Sequence, residues 1–242
     1  MRAWRAQLGA ELRLTARRGD SLLLNLAIPV GLLVFFSLVD VLPKPPGVRH
    51  PVQFLTPGLI GLAVMSTAMV SLGIATGFER QYGVLKRLGC TPLGRGRLLL
   101  AKIASIAAVE IVQVAVLVGV GLALGWSPGG PTGLAVPAVL LGTAAFAGLG
   151  LLMAGALRAE VTLAAANGLY LLLLLLGGMI FPLSKLPPFL RDVAEGLPAG
   201  ALSDALHGAL TAGAAVPARA WIVLAVWAVI APAVAARLFR WE

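Results

Sequence analysis

Two polar residues inside a long apolar run are the first candidates for chemistry. Glu110 and Gln113 lie in the run 98–125, and Glu110 is about 18 Å along a helix from its start. The two are three positions apart, so a helix places them on one face. A carboxylate at that depth in a membrane is energetically expensive and is by default a functional candidate. The pair could line a polar substrate path or relay. Alternatively, Glu110 could only hold helices together through a polar partner, for which the candidates are Asn25, Thr76, Thr143 and Asn167.

A second candidate is the basic segment 79–92, which follows the apolar run 53–78 and reads E-R-Q-Y-G-V-L-K-R-L-G-C-T-P. Gly83 and Pro92 bracket a short helix with an apolar side and a basic side. The apolar side consists of Val84, Leu85 and Leu88, and the basic side consists of Lys86 and Arg87. A surface of this kind suits docking into a groove on a cytoplasmic partner.

Other kinds of site have little support in the sequence. The single cysteine, Cys90, excludes an internal disulfide framework. His50 and His207 lie far apart and have no cysteine partners, so we expect no metal site. The chain has no G-x-x-x-x-G-K-[ST] motif, so we expect no ATP site of its own. It also lacks the Ser-His, Asp-Asp and H-E-x-x-H patterns of hydrolytic enzymes. Two alternatives stay open: an intramembrane lipid-modifying enzyme, and an ion-coupled secondary transporter that uses Glu110.

The composition indicates which elements position these residues. The chain has 242 residues, of which 59% are hydrophobic and 12% are charged. Soluble domains contain about 25% charged residues, so this chain belongs in a lipid bilayer. Its apolar runs are long and do not alternate, which favours helices over a barrel. We therefore predict an all-α integral membrane protein with one domain, 1–242. Its six transmembrane helices are predicted at 21–42, 53–78, 98–125, 134–157, 161–181 and 220–238.

The distribution of basic residues predicts the topology. Fourteen Lys and Arg residues flank the runs on the side that carries both termini, and five lie on the opposite side. The positive-inside rule then places both termini in the cytoplasm of a multi-pass cell membrane protein. The net charge of +9 is explained by this asymmetry, and we expect no nucleic-acid partner.

Three shorter elements complete the prediction. Residues 1–20 combine Trp4 with arginines around a helix, which is typical of an amphipathic helix in the membrane interface, although a disordered basic tail is the alternative. The segment 79–92 supplies the cytoplasmic helix. The connection 182–217 contains two apolar patterns at helical spacing that are too short to span, so we expect re-entrant or surface helices on the outer side.

The order of residues in 79–92 resembles the loop between the second and third spans of ABC-2 type permeases, the membrane subunits of ABC exporters. That loop often reads E-R-x-x-G-T-L-x-x-L-x-x-T-P. The fifth apolar run and the connection after it are also similar to that family, with G-G-M-I-F-P-L at 177–183 and L-P-P-F-L at 186–190. Val84 stands where the family often has Thr. The residues that match the loop pattern are Glu79, Arg80, Gly83, Leu85, Leu88, Thr91 and Pro92.

The resemblance implies a function as well as a fold. It implies a permease subunit of an ATP-driven exporter for an amphipathic or lipophilic compound, such as a drug, an antibiotic or a lipid-like molecule. A separate ABC ATPase subunit would bind ATP and Mg, so this chain needs no cofactor. A second permease copy would complete the pathway, as a homodimer. The segment 79–92, including Lys86 and Arg87, would then be the helix that couples the permease to the ATPase. Glu110, Gln113, Asn25 and Asn167 are the candidate pathway residues.

Overall fold

The computed structural model describes residues 19–39, 50–89 and 95–239, and every regular element in these ranges is helical. This confirms the all-α prediction, and it agrees with the requirement that backbone polar groups in a bilayer be satisfied within helices. A π-helical stretch, Ser66–Ser71, joins α2 to α3, and single 3₁₀ turns lie at Thr132–Leu134 and Leu183–Lys185. The α-helices are α1 (Gly19–Leu38), α2 (Pro51–Met65), α3 (Leu72–Gln81), α4 (Val84–Gly89), α5 (Arg95–Ala123), α6 (Ala135–Ala156), α7 (Ala159–Leu176), α8 (Pro188–Gly196), α9 (Pro198–Leu210) and α10 (Ala218–Leu238). The predicted interfacial helix lies outside the described residues, except that Gly19 and Asp20 form the start of α1.

Among the residues that the structure describes, five helical segments are long and apolar enough to cross a membrane. They are Pro51–Gln81, Leu100–Ala123, Thr132–Ala156, Ala159–Leu176 and Ala218–Leu238. The first predicted span, 21–42, corresponds to α1, which contributes the shorter apolar helix Asn25–Leu38.

The fifth predicted span ends earlier than the apolar pattern suggested. The apolar run continues to 181, but α7 ends at Leu176. The reason is the pair Gly177 and Gly178, because Gly178 has a backbone φ of 69°, a conformation that favours glycine and terminates the helix.

The long helix formed by α2, the π-helical stretch and α3 is the centre of the bundle. In its most apolar stretch 72% of the residues are buried, against 17% in α10. Glycines allow close approach of α6. A Cβ added at Gly150 would lie 2.5 Å from the Met69 carbonyl oxygen, and one added at Gly73 would lie 3.0 Å from the Gly150 oxygen. Small residues such as Gly73 and Gly150 thus mediate close helix contacts, as is usual in membrane proteins.

The ends of the helices define two sides of the bundle. The side that carries α4 and the α6–α7 connection is called the α4 side below, and it is the one predicted to face the cytoplasm. The opposite side carries α8 and α9 and is called the α9 side. These two helices have 9 and 13 residues, which confirms two short helices in the connection 182–217. Most of α9 is buried, because it packs against α2, α6 and α10.

Candidate functional site: an intramembrane polar cluster and the α4 segment

Six polar side chains from four elements meet inside the bundle, and we call them the polar cluster. The π-helical stretch and α5 each contribute two of them, and α1 and α6 contribute one each. Four of the six are almost completely buried. The members are Asn25, Thr67, Ser71, Glu110, Gln113 and Thr143.

One part of the polar cluster is a continuous chain of hydrogen bonds. The Thr67 hydroxyl donates to Oε1 of Gln113 over 2.9 Å. The Gln113 amide in turn donates to the backbone oxygen of Asn25 over 3.2 Å. The Asn25 amide then donates to the Ser71 hydroxyl over 2.7 Å. These bonds connect α5 and α1 to each other and to the π-helical stretch, and such stretches occur frequently at functional sites.

Glu110 forms the other part and is less well satisfied. Its Oε2 accepts a hydrogen bond from the Thr143 hydroxyl, which also lies 2.9 Å from the Val139 carbonyl oxygen. Its Oε1 is buried and has no hydrogen-bond partner among the described residues. The side chain is 2% exposed. A buried polar atom without a partner is unusual in a folded protein and is a mark of a functional position.

The structure therefore brings together three of the four candidate pathway residues. Asn25, Glu110 and Gln113 all belong to the polar cluster. Asn167 does not, because it lies on an exposed face of α7 and donates a hydrogen bond to Leu163 of its own helix. Thr143 is confirmed as a partner of Glu110. Sequence reasoning missed Thr67 and Ser71, although the polar positions in S-T-A-M-V-S within an apolar span were the available signal.

On the α4 side, the predicted short helix is present. Gly83 has a φ of 70° and makes the turn between α3 and α4, which begins at Val84. Its position confirms Gly83 as the residue that starts the segment. Thr91 and Pro92 lie outside the described residues, and so does the predicted end of the segment.

The orientation of α4 differs from the one expected. Leu85 was assigned to the surface that faces a partner, but its side chain is 0% exposed and packs in the core of the bundle. A helix of six residues is not stable alone, so it needs an apolar contact with its own chain. The exposed surface of α4 and the preceding turn is formed by Tyr82, Val84, Lys86 and Arg87. We call this the α4 surface.

Three consecutive side chains fasten the end of α3 to three other helices. Glu79 pairs with Lys102 of α5, with 2.5 Å between Oε2 and Nζ. Lys102 is buried, with 2% of its surface exposed. Arg80 donates to the backbone oxygens of Gly155 and Leu157, where α6 ends. Gln81 donates to Glu160 in the first turn of α7 over 2.8 Å. The residues just before α4 are thus fixed to α5, α6 and α7.

Residues 2–210 match the family model "ABC-2 type transporter". The chain belongs to the ABC-2 type transporter family. A relative from Bacillus subtilis (strain 168), named "Putative transport permease YvfS", is 25% identical over 197 residues, which cover 78% of each chain. The protein is therefore a multi-pass membrane permease of a transporter.

Membership of the ABC-2 type transporter family indicates the kind of role that the described residues have. Members are transport subunits that act with an ABC ATPase subunit. Among the residues that the structure describes, no three His, Cys, Asp or Glu side chains lie close enough together to hold a metal ion. The features of this ABC-2 type permease that need a functional explanation are the polar cluster and the α4 surface.

Proposed function

We propose that this ABC-2 type permease is the membrane subunit of an ATP-driven exporter that moves an amphipathic or lipophilic compound out of the cytoplasm or the inner leaflet. The observation that carries the proposal is the arrangement at the α4 side. A short helix presents an exposed basic and aromatic surface, and the residues before it are fastened to three spans. Such an arrangement can receive a displacement and pass it to the whole bundle.

The partner in this proposal is a separate ABC ATPase subunit that holds ATP and Mg. Tyr82, Val84, Lys86 and Arg87 form the contact surface, and Leu85 anchors α4 to the permease. When the ATPase closes on ATP, it displaces α4. Glu79, Arg80 and Gln81 transmit that displacement to α5, α6 and α7, because each of them is bonded to one of these helices.

The substrate path in this proposal includes the polar cluster, with Glu110, Gln113 and Asn25, and the exposed face of α7 that carries Asn167. That face packs against nothing in the described part of a single chain, since only 22% of the apolar stretch of α7 is buried. A second copy of the permease, in a homodimer, supplies the other wall. With the α4 side in the cytoplasm, as the charge distribution predicts, both termini are cytoplasmic and transport is outward across the cell membrane.

The test is a pair of matched substitutions. Val84 and Val193 are exposed to 38% and 41%, but Val84 belongs to the α4 surface while Val193 lies on α8 at the opposite side. Val84→Asp places a carboxylate in the apolar contact with the ATPase. A loss of about 1.4 kcal/mol of binding free energy already weakens docking tenfold. We expect at least a tenfold lower recovery of the ATPase with the purified permease, and a matching loss of ATP-dependent efflux from cells.

Val193→Asp should leave both readouts close to wild type. Gel filtration of the permease checks that both variants fold. Wild-type ATPase recovery and efflux with Val84→Asp would contradict a docking role for the α4 surface. The energy source is tested separately, because an ion-coupled transporter that uses Glu110 would lose transport with a protonophore and keep it when ATP hydrolysis is blocked.

A further inference from the structure

The α9 side contains a cavity that the proposed function does not use. Its volume is about 500 Å³, which is within the usual range for a small-molecule pocket. It lies between the first turn of α2, the loop after α7, the inner face of α9 and the turn that follows α9. The polar or aromatic side chains that line it are Gln53, Phe54, Ser184, Ser203, Asp204, His207 and Thr211.

Asp204 is the only charged residue among the described residues that line the cavity. Its carboxylate makes no hydrogen bond or ion pair with any described residue. The nearest described charges are Glu195 on α8 and Arg219 on α10, and these two pair with each other over 2.5 Å. Arg219 also attracts Asp204 but pairs with Glu195, so the three groups together carry one negative charge. Burial, followed by the charge of Glu195, raises the pKa of Asp204 to about 6, so the group is ionised at neutral pH.

An aromatic pair lies beside this carboxylate. The rings of Phe54 and His207 are stacked, with 4.6 Å between their centroids. The His207 nitrogens lie 2.8 Å from the Ser203 carbonyl oxygen and 3.0 Å from that of Phe54, which fixes the orientation of the ring. Burial lowers the pKa of His207, so the imidazole is neutral at neutral pH and does not repel a cation. Aromatic rings next to a carboxylate attract organic cations.

We propose that this cavity is a binding site for an organic cation, such as an amine or quaternary ammonium group on an apolar body. Asp204 supplies the charge, and the stacked pair of Phe54 and His207 supplies an aromatic surface. A single carboxylate is too few ligands for a metal ion. The site is independent of the export proposal, because it requires only the permease.

The experiment measures binding of radiolabelled benzyltrimethylammonium to the purified full-length permease in dodecyl maltoside, which contains no ammonium group. Asp204→Asn keeps the shape of the side chain and removes the charge, and we expect at least tenfold weaker binding at pH 7.5. Asp192→Asn is the matched control, because Asp192 is exposed on α8 and does not line the cavity. It should bind within twofold of wild type. The anion phenylmethanesulfonate should not compete.

The pH dependence gives a second measurement on the unaltered protein. At pH 5, one unit below the pKa of Asp204, only about a tenth of these groups are ionised, so wild-type binding should be about tenfold weaker than at pH 7.5. Binding by Asp204→Asn should not change over this range. If that variant does not fold, the wild-type titration alone decides the question.

Several outcomes would overturn the proposal: equal binding by wild type and Asp204→Asn, equal losses in Asp204→Asn and Asp192→Asn, competition by the anion, or no fall in wild-type binding at pH 5.

The ammonium group could belong to a free compound or to a lipid headgroup. Displacement of the probe by added phosphatidylcholine would identify the headgroup as the source, and retention of the probe would identify a free compound. Both results agree with recognition of a cation.

Discussion

Arg80 offers the sharpest test of how the α4 side is held together. Its guanidinium donates to two backbone oxygens, those of Gly155 and Leu157, at the end of α6. A hydrogen bond from a charged donor contributes about 1.5–3 kcal/mol, and the lower value applies here because Arg80 is partly exposed. Arg80→Gln should therefore lower the free energy of unfolding by about 3 kcal/mol. At roughly 2–4 °C per kcal/mol for a chain of this size, the melting midpoint should fall by roughly 6–12 °C.

The assay is thermal unfolding of the purified permease, followed by loss of the monodisperse gel-filtration peak, without the ATPase. Arg87→Gln is the control, because it removes the same charge from an exposed position on α4 and should change stability by less than about 0.5 kcal/mol. Arg80→Lys keeps the charge but presents its donors from one nitrogen, whereas the guanidinium uses two, so its midpoint should lie between those of Arg80→Gln and wild type. In cells, Arg80→Lys should reduce efflux more than ATPase recovery. An Arg80→Gln midpoint equal to that of Arg87→Gln would refute the reasoning.

Three further predictions follow from burial and from the charge pattern. Leu85→Ala should lower the free energy of unfolding by about 2–5 kcal/mol and reduce the folded yield, because it leaves a cavity at a fully buried position. Val84→Ala, at the exposed neighbouring position, should change the folded yield little. Glu110→Gln should preserve the acceptor for Thr143 and the folded yield but reduce substrate efflux, while Glu110→Ala should also reduce the yield; normal efflux by both variants would remove Glu110 from the pathway. Cys90, the single cysteine, should resist an impermeant thiol reagent in intact cells and react after permeabilisation, and rapid labelling of intact cells would contradict the proposed topology.

Much of the architecture could be predicted from the sequence, because the bilayer imposes a local rule. Every apolar run of spanning length has to be a helix, so hydropathy alone located the segments that became α2 to α3, α5, α6, α7 and α10. Local chemistry also located the start of α4, because Gly83 adopts a backbone conformation that other residues avoid. The spacing of Glu110 and Gln113 correctly placed both on a buried face of α5.

The contacts between elements could not be predicted in the same way. Helical spacing shows which residues share a face, but it does not show what that face meets. Leu85 was expected to meet a partner and instead meets the permease itself, and the spacing of Glu79 and Lys102 does not indicate that the two pair. Asn167 was grouped with Glu110 by residue type, yet α7 turns it away from the polar cluster.

The sequence by itself therefore located the five long apolar helices that the structure describes, because hydropathy and glycine conformation act over a few neighbouring residues. Only the tertiary structure showed which residues come together in each site. The polar cluster draws residues from α1, the π-helical stretch, α5 and α6, and the α9-side cavity joins Asp204 to Phe54, 150 positions earlier in the chain. Such groupings depend on how helices pack, which is set by the simultaneous fit of many side chains from distant segments.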